Sequence, residues 1–159
     1  QNYTRPWSKE LDVPVLSIDY KKPPNHRFPA PVYDVLAVYN FVCKHIHNYC
    51  NIRPTTIVLA GDSAGGNLVL STTALAQKAN LPPPKGLFLA YPASDLRSVY
   101  SPSRINSFTD AILHPSLLLM CLKEYLDKIK KKFKTILWPP QFYYQSLIST
   151  TNHLTCAGH

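Results

Sequence analysis

Gly61-Asp62-Ser63-Ala64-Gly65-Gly66 stands between an apolar, β-branched run, Thr55-Thr56-Ile57-Val58-Leu59-Ala60, and a stretch of helix formers that begins at Asn67-Leu68. An extended run, a small-residue turn and a helix in that order form a nucleophile elbow, in which a serine at a sharp strand-to-helix turn projects its hydroxyl away from the sheet. The flanking small residues let a strained backbone pack closely. Ser63 is therefore the candidate nucleophile, with Gly61, Asp62, Gly65 and Gly66 as the support of the turn. The helix behind it adds a second element. The backbone N–H of Ala64 points to where an oxyanion would develop, and the helix dipole favours negative charge there. Loss of one such donor typically costs about 3 kcal/mol of transition-state stabilisation. Ala64 acts through its backbone, so its side chain is chosen for size.

Working outward, Val13-Pro14-Val15-Leu16-Ser17-Ile18-Asp19 reads as a buried strand, with Trp7 to Leu11 as the end of a helix whose start lies upstream. Four prolines between Lys22 and Pro31 mark a loop. A helix is expected from about Pro31, where proline suits the first turn and Asp34 the dipole. Its apolar positions 32, 35, 36, 39, 42, 43 and 46 fall on one face. Thr56 to Ala60 is the next strand, Ala64 to Ala79 a small-residue helix stopped by Asn80 and Pro82-Pro83-Pro84, and Gly86 to Tyr91 a third strand. Strands alternating with helices imply an α/β fold with a parallel sheet and crossover helices. Pro115 opens a further helix with Leu118, Cys121, Leu122, Tyr125 and Ile129 on one side. Beyond Asp127 the periodicity is lost.

The 159 residues, 45% apolar and 16% charged, are globular in composition. An α/β-hydrolase sheet commonly occupies about 200–250 residues. The expectation is a partial α/β-hydrolase fold over 1–127, incomplete at both ends, followed by a basic, aromatic tail over 128–159. Much of the net charge of +8 is concentrated between Lys123 and Lys134 and accompanies no nucleic-acid motif, so nucleic acid is not an expected partner. No n-region followed by an apolar h-region precedes Pro14, so a signal peptide is not expected, and no run approaches the length of a membrane span. Cys43, Cys50, Cys121 and Cys156 include no Cys-x-x-Cys, and their low density points to a reducing setting.

Each chemical reading has a plainer competitor. Gly-Asp-Ser also occurs in all-β serine proteases, but a helix after the serine argues against that context. His114, His153 and His159, with Asp95, Asp110 and Asp127, could supply a base and an acid after Ser63 in chain order, yet His114 adjoins Pro115 at a helix start, where capping explains it equally. Cys43, His47 and Cys50 share a helical face with His45 nearby, but a fourth ligand is missing and buried thiols are the simpler reading; no metal is assigned. Lys128-Ile129-Lys130-Lys131-Lys132-Phe133-Lys134, followed by Trp138, Phe142, Tyr143 and Tyr144, could rest on an anionic lipid surface. A solvated helix end joined to a disordered or non-native tail is the preferred reading.

The run Gly61 to Asn67, together with Val15-Leu16-Ser17-Ile18-Asp19-Tyr20 and Phe28-Pro29-Ala30, resembles the hormone-sensitive lipase family of α/β-hydrolases. Tyr91-Pro92-Ala93 and Ser101-Pro102-Ser103-Arg104 are similar to its animal members. The resemblance covers roughly Trp7 to Asp127. It implies a cytoplasmic serine carboxylester hydrolase, also placed at lipid droplets, acting on acylglycerols or other acyl esters without metal or organic cofactor. Ser63 matches the family's nucleophile, and the Ala64 backbone matches one oxyanion donor. Asp19 and Tyr20 match a structural motif whose continuation is replaced here by Lys22-Pro23-Pro24-Asn25. The family's His-Gly-Gly-Gly oxyanion loop would precede Leu11, and its catalytic acid and histidine would follow Asp127, so the triad partners are expected outside this chain. A catalytically silent module that binds lipid or protein is the alternative.

Overall fold

Val58–Asp62 (β1) and Gly86–Ala90 (β2) pair in parallel, from Val58 opposite Gly86 to Asp62 opposite Ala90, in the computed structural model, which describes residues 3–96 and 102–126. Helix α4, Ala64–Lys78, makes the crossover between them. The parallel sheet with crossover helix expected from the sequence is present, and Lys85 N–H donates to Ile57 C=O just before the ladder begins. Along β1, half-buried Leu59 and Gly61 alternate with exposed Val58, Ala60 and Asp62. Leu59 and Ile57 therefore face one layer of helices.

That layer is α4 with α2, Ala30–Lys44. Val32, Val35, Leu36 and Tyr39 recur at helical spacing and are buried. Leu36 and Tyr39 join Ala76 and Leu81, while Val32 and Val35 join Leu68, so two connected apolar clusters fill the space over the sheet. Asn80, at φ 53°, closes α4, and Leu81 N–H donates back to Ala76 C=O at 2.9 Å. Tyr39 donates its hydroxyl to Pro82 C=O at 2.6 Å, which ties this helix stop to α2.

The opposite face is served by α1, Thr4–Leu11. Ala60 and Phe88 are ladder partners and so share the outward face, where Trp7 meets Phe88 edge-on at 5.7 Å. Tyr3 packs on Trp7 and donates its hydroxyl to Asp62 at 3.1 Å. Helix α6, Pro115–Leu126, returns to the loop before α2: Arg27 pairs with Glu124 at 3.2 Å, and Phe28 N–H donates to Tyr125 C=O at 3.1 Å. Between β2 and α6 lie α5, Pro102–Asn106, and a 3₁₀ turn, Ser107–Thr109. A one-turn helix, α3, spans His47–Cys50.

Several expectations need correction. Val13–Asp19 forms no strand: it has no regular secondary structure, Val13 and Ser17 are exposed, and only Ile18 reaches a core cluster. Pro14 has no N–H to give a ladder, and no strand lies beside this segment among the described residues. Helix α1 begins at Thr4 rather than upstream. Strand β1 starts at Val58, two residues after Thr56, so Gly61 and Asp62 belong to the strand itself. Asp34 lies beyond the first turn of α2 and instead accepts from Lys21 N–H at 2.9 Å and from its ammonium at 3.3 Å. In α6, Cys121 is exposed while Leu122 is buried, narrowing the apolar face. Ile129, Asp127, His153, His159 and the segment 128–159 lie outside the described residues.

Candidate active site

Ser63 occupies the single residue between the last strand position, Asp62, and the first helical one, Ala64, at φ 50° and ψ −115°. Such a backbone conformation is sparsely populated for a side-chain-bearing residue and carries roughly 1–3 kcal/mol of strain. Both of its backbone groups are held. Its N–H donates to Ala90 C=O at 3.0 Å, and its C=O accepts from Ala93 N–H at 3.0 Å. Two hydrogen bonds at about 1 kcal/mol each are enough to offset that strain.

Serine is a favoured N-cap residue, and capping is the plainest reason to find one here. Ser63 does not cap. Its side chain makes no bond to the first turn of α4, and among the described residues no side chain is hydrogen-bonded to its hydroxyl. Ser63 is exposed, and its side chain leaves the first-turn amides of α4, Ala64 N–H among them, uncapped.

The tightness of the bend rests on two glycines. A Cβ at Gly61 would lie 2.5 Å from Gly65 C and 2.6 Å from Gly65 O. At Gly66 it would lie 2.7 Å from Pro92 Cβ. These are backbone or ring atoms that cannot swing aside, so α4 starts directly against the end of β1 and the exit of β2. Gly65 differs, since a Cβ there meets nothing within 4 Å among the described residues. Asp62 contributes from the strand, where its carboxylate accepts from Tyr3. That contact holds the Tyr3 phenol above its ordinary value.

Among the described downstream candidates, His114 and Asp110 have local partners. His114 Nδ1 lies 2.7 Å from Ser116 Oγ and accepts from Ser116 N–H at 3.3 Å, which is the capping role at the start of α6. Asp110 accepts from Ile112 N–H at 2.8 Å and Leu113 N–H at 3.0 Å, and these amides hold its carboxyl below the usual range. A cavity of about 420 Å³ lined by Asn106, Ser107, Thr109 and Asp110 includes no elbow residue. Cys43 is a free, half-buried thiol whose pKa burial pushes up. Cys50 is disulfide-bonded, which corrects the expectation of a buried thiol there, removes it as a thiolate ligand, and runs against the reducing setting expected from the low cysteine density. Among the described residues no helix is long and apolar enough to cross a membrane.

Sequence reasoning missed three contributors to this site: Asn67, Tyr91 and Tyr3. Asn67 donates its side-chain amide to Ala93 C=O at 2.8 Å, and Tyr91 takes φ 36° where the chain leaves β2. A signal existed in Tyr91-Pro92, since a proline directly after a strand marks a turn. Nothing in the sequence tied that turn, or Tyr3, to the elbow.

Comparisons with known proteins follow this geometry. Hormone-sensitive lipase of Mus musculus is 38% identical over 126 residues, covering 77% of this chain and 16% of the relative. The hyperthermophilic esterase of the archaeon Pyrobaculum calidifontis superposes with a TM-score of 0.74 at 29% identity, over 80% of this chain and 42% of that one. Carboxyl esterase 2 of the fungus Tuber melanosporum gives 0.75 at 25% identity, over 82% and 42%. The chain thus spans well under half the length of each. A family model described as an alpha/beta hydrolase fold matches residues 1–157. Its relatives are lipases and carboxylesterases, and the chain belongs to the alpha/beta hydrolase fold family.

Proposed function

We propose that Ser63 is the nucleophile of a serine carboxylester hydrolase acting on acylglycerols or other acyl esters. The observation that carries this reading is an exposed serine at an N-cap position, φ 50°, whose hydroxyl caps nothing. In the complete reaction, a base takes the Ser63 proton as its oxygen attacks the ester carbonyl. The alcohol leaves with a proton, and water then releases the acid from the acyl-enzyme. The Ala64 N–H would stabilise the oxyanion in both steps.

Family resemblance supports the substrate class and a cytoplasmic place of work, including lipid-droplet surfaces. No cofactor enters this chemistry. We read 1–127 as the hydrolase part and 128–159 as a basic, aromatic tail, with a solvated Lys128–Lys134 run preferred over one in contact with anionic lipid. Sedimentation with anionic vesicles at low and high salt tests that contact, and no binding at either would remove it.

A second reading is favoured by one specific observation. His114 and Asp110 are engaged at a helix cap and a loop, and among the described residues neither is hydrogen-bonded to Ser63. The chain by itself would then be a silent hydrolase module. Treatment with a fluorophosphonate followed by intact mass measurement separates the two. An activated Ser63 gains one phosphonyl group that Ser63→Ala does not, whereas an unlabelled chain is the silent module. Little or no turnover of p-nitrophenyl butyrate is expected from the 159-residue chain. Robust, Ser63-dependent turnover would require a base among His114, His153 and His159.

A further inference from the structure

We propose that Asn67 is a positioning residue for Ser63, acting through the segment that leaves β2; the inference rests on Ser63 being the reactive group. The Ser63 conformation is not fixed by its own side chain, which makes no cap bond. It is fixed by a strap. Ser63 N–H donates to Ala90 C=O, and Ser63 C=O accepts from Ala93 N–H, both at 3.0 Å.

The strap itself needs holding. Tyr91 turns it at φ 36°, a conformation unfavourable for an aromatic residue, and the Tyr91 side chain is 76% exposed and gives little anchorage. Asn67 supplies the anchor. Its Nδ2 donates to Ala93 C=O at 2.8 Å, while its backbone N–H donates to Ser63 C=O at 3.3 Å.

These bonds form a closed ring. Asn67 reaches Ser63 through its backbone, Ser63 reaches Ala93, and Ala93 returns to the Asn67 amide. Gly66 lets Pro92 lie against the same turn, since any Cβ would stand 2.7 Å from Pro92 Cβ. Only the Asn67 link is a side chain, so it is the one link that substitution can cut without altering the backbone. An ionised aspartate of the same size would face Ala93 C=O with an acceptor instead of a donor.

Asn67→Ala and the near-isosteric Asn67→Asp, made in the full 159-residue chain, test this at pH 7. Residue-resolved amide hydrogen exchange reads the strap directly, and the fluorophosphonate inactivation rate, divided into KI and kinact, reads Ser63. Both variants should speed exchange at Ser63 and Ala93 by about tenfold or more while leaving Leu75, inside α4, unchanged. They should also lower kinact about tenfold with KI unchanged. If Asn67→Ala fails to fold, Asn67→Asp carries the test. Unaltered Ser63 and Ala93 exchange in the aspartate variant overturns the proposal, as does a loss confined to KI. A strap that loosens in a chain that takes no label supports the ring and removes only the nucleophile reading.

Discussion

Two apolar, β-branched runs in this chain meet different fates. Val58–Asp62 becomes β1, whereas Val13–Asp19 takes no regular structure and joins no ladder. Hydrophobic pattern does not separate them. Strand β1 gains a partner because α4 returns the chain beside it, and its inward side chain Leu59 then packs on the cluster of Leu36, Tyr39, Ala76 and Leu81. Val13–Asp19 carries Pro14 and reaches the core through Ile18. A strand is thus the property of a pair, and the elbow depends on that pair. Ser63 is held by Ala90 and Ala93, residues that reach it only because β2 lies alongside β1.

The largest effect is expected where the pair meets chemistry. Ser63→Ala should reduce fluorophosphonate labelling by more than about 100-fold, measured by mass; an equal rate in the variant would place the reactive group elsewhere. The next contrast lies within the turn. Gly61→Ala forces a Cβ to 2.5 Å from Gly65 backbone and should lower unfolding free energy by about 3 kcal/mol in urea titrations. Gly65→Ala meets nothing within 4 Å and should change it by less than about 1 kcal/mol in either direction. Equal losses at both glycines would break the account of how the helix packs.

A third contrast sets the buried face of α4, which packs on β1, against the Val13–Asp19 run. Leu68 is 4% exposed and Val13 46% exposed. Leu68→Ala should cost about 2–5 kcal/mol and Val13→Ala within about 0.5 kcal/mol, again by urea unfolding. A large Val13 effect would show that the segment is more deeply integrated than its exposure indicates.

The smallest effect concerns the link from α6 to the loop before α2. Burial pushes the Tyr125 phenol up to about 12 from the ordinary 10. The folded state thus holds this proton more tightly, so the stabilisation is complete below pH 10 and is lost as pH rises from 10 towards 12. Tyr125→Phe should flatten the fall of Tm over that window. An unchanged fall would place the alkaline sensitivity in another group.

The elbow was legible in the sequence because its determinants are local: a β-branched run, small residues at the bend, and a helix immediately behind. The same holds for α2, whose buried residues follow helical spacing, and for the stop at Asn80. What was not legible required long-range contacts. Tyr3 meets Asp62 across 59 residues, and Asn67 meets Ala93 across 26. The misplaced strand at Val13–Asp19 has the same origin, since an apolar run does not disclose whether a neighbour will lie beside it. Asp34 was assigned to the helix dipole for want of a visible partner, and Lys21 supplies one from the preceding loop.

The most direct test is a crystal structure of the chain in which the Ser63 backbone is measured. The account expects φ near +50°, with Ser63 C=O accepting from Ala93 N–H and the hydroxyl free of the first helical turn. A Ser63 with helical, negative φ inside a continuous helix, or with its hydroxyl capping α4, would contradict it.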